Sequence, residues 1–454
     1  MTDVLRLDDA RVVVPDNRWD LVQGPGRCPT VGVVVPYYDQ PAQLALVLAA
    51  LAAQNYPREL LHVVVADDGS AVPPDVERWR HLLSVTVVAQ EDRGFRAAAA
   101  RNLGARAATG EVLCFLDADT VPTPDYIRRA VRLPSLIPDA IVVGRRKHGD
   151  LSDVAEGALQ QWFSDHSQVG DEFEPEWLVD GYARTSGFMQ PGWDGYKYVL
   201  SAVLTCSREL FDAVGGFEES FVEYGGEDWE LANRAFMMGA VFAYEPAALA
   251  WHDGPDWAVR DVEDRTTKKN AEALALAQFV TDPAARTLGL RYRVPDVVAR
   301  VRVDGHSAAS LAVTIASIVD GSDCAVQLVG SGAKQLYDTL RLHDSRIEVG
   351  EPEEDVLARC RFVLDVVGRA QFSPTTMAAL TDQVGPGKCG RIVVDAGSVS
   401  VTLTASRAIH RASRWAMRLG LSETDLVERL FGIARRSADE VGITVAADEP
   451  WLSW

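Results

Sequence analysis

The sequence predicts an α/β fold built on a mainly parallel sheet, followed by a second, smaller α/β domain of related design. Three observations lead there. Short apolar runs of strand length alternate with helical stretches from Val31 onward. Each run is apolar throughout rather than at every second residue, the pattern of strands covered on both faces. A second series of the same kind begins near Val297.

Taken in order, residues 1–28 form a leader, with a short strand at Val12-Val13-Val14 and a turn at Gly24-Pro25-Gly26. Residues 31–35 read as a buried strand stopped by Pro36. Residues 44–53 read as a helix stopped at Asn55-Tyr56-Pro57. Strands follow at 61–65, 85–88 and 112–116, with an alanine-rich helix at 97–108 between the last two. In such sheets ligands bind beyond the carboxyl ends of the strands. Asp39, Asp67, Asp68, Asp117 and Asp119 all follow strand ends, so one sheet edge collects five carboxylates.

Residues 150–200 read as irregular but aromatic, with Trp162, Phe173, Trp177, Tyr182, Phe188, Trp193, Tyr196 and Tyr198, a density that argues against disorder. Residues 204–213 read as a helix ended by Gly215-Gly216, residues 229–238 as another, and 261–285 as a helix closing the domain.

The second series echoes the first in four places and in the same order. Val301-Arg302-Val303, with Leu311, Thr314, Ile315 and Ile318, echoes Val34 to Pro36 with Leu44, Val47, Leu48 and Leu51. Arg361-Phe362-Val363-Leu364-Asp365, with Pro374, echoes Leu113 to Asp117 with Pro124. Leu403-Thr404-Ala405-Ser406-Arg407 echoes Leu204-Thr205-Cys206-Ser207-Arg208, and Glu428 to Phe431 echoes Asn233 to Phe236. The carboxylates are not repeated: Asp365-Val366-Val367 stands for Asp117-Ala118-Asp119, and Gly330-Ser331-Gly332 for Asp67-Asp68-Gly69-Ser70. The expected domains are therefore 29–285 and a degenerate relative at 290–454, which has kept the scaffold and lost the site. It is expected to stabilise the chain or dimerise it.

Charge narrows the function. The 454 residues hold 45 Lys and Arg against 65 Asp and Glu, a net −20. Nucleic acid makes a poor partner for so acidic a chain. Residues 150–230 alone hold 3 basic and 18 acidic residues. No apolar run reaches membrane-span length and the N-terminus has no signal core, so a cytoplasmic protein is expected. The six cysteines lie far apart, which suits reduced buried thiols.

Two carboxylates at i and i+2 beyond a buried strand, Asp117 and Asp119, can reach one Mg²⁺ or Mn²⁺, or form only a solvated turn. Asp228 in Gly225-Gly226-Glu227-Asp228 can act as general base on a hydroxyl or cap the helix. His252 is either structural or a metal ligand. Arg93, Arg96 and Arg101, with Asn102, can clamp a diphosphate or decorate a solvated helix face.

Together these residues resemble family 2 glycosyltransferases, the inverting nucleotide-sugar enzymes of the GT-A fold, over about residues 30–255. The resemblance runs through Val33 to Tyr38, Val65 to Ser70, Arg93-Gly94-Phe95-Arg96 with Ala100-Arg101-Asn102, Leu116 to Asp119, Gly215 to Glu219 and Gly226 to Leu231. It implies that Pro36, Tyr38, Asp67 and Asp68 border the nucleotide, with Tyr38 and Asp67 on base and ribose. It implies that Asp117, Asp119 and His252 serve a divalent metal, with Asp117 also placed for the ribose. Arg96, Arg101 and Asn102 would support the donor side, Asp228 would be the base, and Glu227 would shape the acceptor pocket. Ser201-Ala202-Val203 replaces the family's usual Gly-Gly-Asn, a departure that bears on specificity rather than reaction type.

The expected function is transfer of a sugar from a nucleotide-sugar donor, a uridine nucleotide by family frequency, to an acceptor hydroxyl, giving a β-glycoside. The acid of residues 150–230 points to a neutral or cationic acceptor. The competing reading is a nucleotide-sugar-binding or scaffold protein of the same fold. A dinucleotide-dependent oxidoreductase would need a GxGxxG after the first strand, which is missing.

Overall fold

The computed structural model describes residues 3–166, 174–223, 225–254, 265–286 and 289–453. Phe173 and residues 261–264, named above, lie outside the described residues. The chain divides into two units, one holding Val4–Asn233 and Ala240–Leu276, the other holding Arg234–Gly239 and Ala277–Trp454.

The first unit is built on β1 (Val31–Tyr37), β2 (Leu61–Asp67), β3 (Ser84–Ala89), β4 (Val112–Leu116), β5 (Thr120–Pro122), β6 (Ala140–Gly149), β7 (Val203–Ser207) and β8 (Val241–Asp253). They form one sheet in the order β3-β2-β1-β4-β7-β6-β8-β5. β1 to β4 run parallel, β7 lies antiparallel between β4 and β6, and β8 returns parallel to β6. Val31, Val33, Val34 and Val35 of β1 are fully buried, as a strand covered on both faces requires. Helix α1 (Pro41–Ala52) begins with proline in its first turn, where the missing N–H leaves no bond unmade. Helix α2 (Ala97–Ala107) packs on β1 and β2.

Two expectations are corrected. Residues 204–213 are not one helix: Val203–Ser207 is β7, and Ser207 then caps α4 (Arg208–Val214) by accepting the Leu210 N–H. An apolar run of four residues has no period that separates strand from helix, and pairing with both β4 and β6 decides for the strand. Residues 150–200 are also less irregular than expected, holding helices at Leu159–Asp165 and α3 (Glu176–Arg184). Two further helices begin within this unit's sequence, α5 (Glu227–Met237) and α6 (Arg265–Ala277).

The N-terminal segment packs into this unit. Val12–Val13 pairs with Leu5–Arg6, and Val12 and Val14 join a core with Leu133, Ile137, Val142 and Val241. Asn17 is buried, and its side chain donates to the Phe188 and Phe242 carbonyls at 2.5 and 2.7 Å while accepting the Phe242 N–H at 3.0 Å.

The second unit repeats this sheet strand for strand. Its members are β9 (Val297–Arg302), β10 (Cys324–Val329), β11 (Ile347–Val349), β12 (Phe362–Val367), β13 (Ala370–Phe372), β14 (Arg391–Ala396), β15 (Val399–Ala405), β16 (Ile433–Arg436) and β17 (Ile443–Val445). The order β11-β10-β9-β12-β15-β14-β16 matches β3-β2-β1-β4-β7-β6-β8, and every pair has the same sense as its counterpart. β13 pairs with β17 as β5 pairs with the end of β8. The path that β8 runs as one irregular strand is split here by a short helix at Ala438–Val441.

The register refines which residues correspond. Val31 aligns with Val112 across the first sheet, and Val297 with Phe362 across the second, so Val112 corresponds to Phe362. Val367-Gly368-Arg369, not Asp365-Val366-Val367, then stands at Asp117-Ala118-Asp119. The partner of Thr120 is His252, and the partner of the corresponding Ala370 is Val445. A shared backbone bond supports the match: Asp253 N–H to Asp119 O in one unit, and Ala446 N–H to Arg369 O in the other, both 2.8 Å. The sequence echoes were out of step by one or two residues because similar apolar runs align almost equally well at neighbouring offsets.

Asn17→Ala strands the Phe188 and Phe242 backbone groups in the core. It is expected to lower the unfolding free energy by about 3 kcal/mol in chemical denaturation.

Candidate active site

The site forms where β1, β2 and β4 end and α5 begins. After β2, Asp67 Oδ1 accepts from the Ser70 N–H and hydroxyl at 2.9 and 2.6 Å, folding the turn back on itself. Asp68 accepts from the Gln90 amide at 2.5 Å and the Arg96 N–H at 2.8 Å, tying this turn to the start of α2. Both carboxylates are buried. Gly69 adopts φ +86°, and a Cβ there would lie 2.3 Å from the Asp92 nitrogen, so the turn admits only glycine. Pro36 is half-buried at the end of β1, and Tyr38 just beyond is 48% exposed.

Beyond β4, Asp119 Oδ2 lies 3.4 Å from His252 Nε2, brought there by the pairing of β5 with β8. Burial first, and Asp117 second, push the Asp119 carboxyl up to about 6, against the pull of Arg146. The His148 ring lies 4.7 Å from that of His252. Arg146 and His148 were not singled out from sequence. The signal available was the basic run Arg145-Arg146-Lys147-His148, ending an apolar strand in an otherwise acidic domain.

Among the described residues, no three His, Cys, Asp or Glu side chains converge as a metal set. Asp119 and His252 do come together and offer one carboxylate and one imidazole, a pair that suits Mn²⁺ when diphosphate oxygens complete the shell. Asp117 takes a different partner: its Oδ1 accepts from Arg101 Nη2 at 2.8 Å.

Arg101 lies on α2, and its guanidinium is 5% exposed. Its Nη1 donates to Glu227 Oε1 at 2.9 Å, so one fork holds carboxylates from two separate segments of the chain. Burial opposes its charge, but Asp117 and Glu227 together outweigh that and raise its pKa further. Both of its terminal nitrogens face carboxylates, neither a solvated helix face nor a waiting diphosphate. Asn102 is also occupied: its amide donates to the Phe217 carbonyl and Glu219, and accepts the Phe217 N–H at 2.9 Å. It holds the loop after Gly215-Gly216 rather than a ligand. Arg96 lies 3.8 Å from Glu219, and Arg93 pairs with Glu91 at the surface.

Asp228 sits in the first turn of α5, inside the helix, so it is not the cap. Its Oδ1 accepts the Trp229 N–H at 2.8 Å. Gly226 before it has φ +96°, and a Cβ there would press on the Phe221 ring at 2.8 Å. Burial first, and Glu227 second, push the Asp228 carboxyl up to about 7, with Arg101 opposing. Glu227 is buried, and its Oε2 has no hydrogen-bond partner among the described residues.

Residues 32–190 match the family model described as Glycosyl transferase family 2, and residues 190–246 match the N-terminal domain of galactosyltransferase. Residues 32–190 form a glycosyl transferase family 2 domain. The chain is 29% identical over 267 residues to the chondroitin synthase of Escherichia coli, spanning 55% of this chain and 38% of that protein. It is 31% identical over 272 residues to the validoxylamine A glucosyltransferase of Streptomyces hygroscopicus subsp. jinggangensis, spanning 55% and 59%. The chain thus spans less than two thirds of the length of these relatives. Among solved structures, a mannosyltransferase of Pyrobaculum calidifontis shares 23% identity at a TM-score of 0.37, covering 62% of this chain and 74% of that one.

The raised Asp228 pKa is also a statement about stability. A carboxyl near 7 when folded and near 4 when unfolded contributes fully below pH 4, and that contribution is lost as pH rises through 7. Asp228→Asn is therefore expected to stabilise the protein at pH 8 by roughly 2 kcal/mol and to leave it nearly unchanged below pH 4, in thermal melts across that range.

Proposed function

We propose that this glycosyltransferase moves a sugar from a nucleotide-sugar donor to an acceptor hydroxyl by a single inverting displacement that needs a divalent metal, so that an α-linked donor yields a β-glycoside. The observation that carries this reading is the Arg101 fork, which sets the donor-side carboxylate Asp117 and the acceptor-side pair Glu227-Asp228 on either side of one guanidinium.

In this reading Tyr38 and Asp67 receive the base and ribose, a uridine nucleotide being the first choice. Asp68, by fixing the Arg96 N–H, and Pro36 shape that end of the cleft. Asp119 and His252 would hold the metal, which when bound offsets charge on the diphosphate leaving group. Asp117 faces the ribose while tied to Arg101. Asp228 removes the acceptor proton, and a carboxyl near 7 suits that task at neutral pH. Glu227 Oε2 is left to accept a hydrogen bond from the acceptor.

The acceptor is neutral or cationic, because Glu227, Asp228 and Glu230 share the first turn of α5. Four of the eighteen acids in residues 150–230 bear on structure instead: Arg11 meets Glu209, Arg78 meets Glu156, Arg96 and Arg106 meet Glu219, and Arg145 meets Glu174. The second unit, with Val367, Arg369 and Val445 at the positions of Asp117, Asp119 and His252, is a platform rather than a second centre. No helix among the described residues is long and apolar enough to cross a membrane.

With Mn²⁺ and a wide panel of nucleotide sugars, one donor is expected to release its nucleotide, faster with acceptor present. Asp228→Asn should cut turnover at least 100-fold while sparing donor binding, and Asp119→Ala should abolish metal-dependent stabilisation by the nucleoside diphosphate in thermal shift. No release from any sugar, or full turnover by Asp228→Asn, contradicts the assignment.

A further inference from the structure

Arg101 takes no direct part in the reaction proposed above, yet it is among the most completely buried cations of the first unit. Three carboxylates surround or adjoin it, and its charge opposes the rise of Asp228. Its two bonds reach residues 16 positions ahead and 126 positions ahead in the chain, so it joins segments that no backbone ladder joins directly. Phe217 lies under the guanidinium, 5.4 Å from its carbon, and Asn102, the next residue of α2, holds the Phe217 backbone. The fork is thus fixed from below as well as at both ends.

We propose that Arg101 is a positioning residue shared by the two halves of the site, holding Glu227, and through it the first turn of α5 with Asp228, against the donor-side carboxylate Asp117. A planar fork can hold two carboxylates at once with fixed geometry, whereas a lysine ammonium offers one point charge on a flexible stem. The fork therefore sets the distance between the ribose side and the base before any ligand arrives. It also leaves Glu227 Oε2 buried and with no hydrogen-bond partner among the described residues.

This placement has a signed electrostatic consequence. The groups that act on Asp228 are Glu227 beside it, Arg101 from α2, and Glu272 from α6, itself paired with Lys269 at 2.6 Å. Removing Arg101 leaves the carboxylates uncompensated, so Asp228 must hold its proton to higher pH. Removing the charge of Glu227 while Arg101 stays must do the opposite. A side chain that merely filled space would move neither midpoint.

The inference draws its meaning from the proposed reaction, but its test needs neither donor nor acceptor. Infrared difference titration of the whole protein between pH 4 and 9 reads the protonated carboxyl band, and the component that Asp228→Asn removes belongs to Asp228. Arg101→Met is expected to raise that midpoint by about one pH unit or more, Arg101→Lys to place it between the two, and Glu227→Gln to lower it. Circular dichroism confirms that each variant is folded. If Arg101→Met does not fold, the upward shift in Arg101→Lys decides. A midpoint unchanged in the folded Arg101 variants overturns the inference, and so does a shift of the same sign for Arg101→Met and Glu227→Gln. Silence in a nucleotide-sugar screen would contradict the proposed function and leave this result standing.

Discussion

The Arg101 guanidinium, with Asp117 on one side and Glu227 on the other, is the interaction on which the site depends. Removing a cation from water is costly, and the cost is tolerable only where good geometry and opposite charge meet it. Both conditions hold here because Ala98, Ala99 and Ala100 let the first turns of α2 lie buried close to the sheet, where the fork comes level with the end of β4. The same pairing explains the neighbouring carboxyls. Glu227 finds its countercharge in Arg101, and Asp228, next to it and without a direct cation, is pushed up towards 7. Breaking one arm of the fork would leave a buried charge uncompensated, a larger loss than the pair is worth on its own.

The second unit shows how much of the fold is independent of that chemistry. Its strands follow the same order and senses as the first, including the antiparallel insertion between two parallel groups. The differences that bear on the candidate site lie at the strand ends. Where Asp119 faces His252, the second unit has Arg369, whose Nε donates to the Ala446 carbonyl and whose guanidinium meets Asp448, and Val445. A cation in place of the Asp119 carboxylate makes that strand end unfit for a divalent cation while the sheet beneath keeps its apolar core of Val301, Leu328, Leu364 and Leu403. Packing constrains strand interiors, and chemistry constrains strand ends.

This division also decides what was legible in the sequence. The parallel strands were readable because valine runs such as Val33-Val34-Val35 carry their burial in their composition. The carboxylates were readable because each follows such a run. β7 was not readable, because Leu204-Thr205-Cys206 shows no period until its two neighbours pair with it. The register of the second sheet was not readable to better than one or two residues. Nor was the use of Arg101 and Asn102: both occur in a motif that resembles donor-side support, but their partners, Glu227 and Phe217, lie more than 100 residues away. Asp228 was readable as base or cap, and its place inside the first turn of α5 excludes the cap.

The acidic balance of the chain likewise divides into parts. Net charge reports solubility and partners, and four of the acids of residues 150–230 are answered by arginines drawn from elsewhere in the first unit. Within the candidate site, Asp117 and Glu227 share one cation, Arg101. The most direct measurement of that claim is a double-mutant cycle of unfolding free energy between Asp117→Asn and Glu227→Gln, two residues linked through the guanidinium. With Arg101 present, the two changes should be non-additive by about 1 kcal/mol or more, and in the Arg101→Met background they should add. Additivity within about 0.5 kcal/mol in the natural protein would contradict the account, because the two carboxylates would then not share one cation.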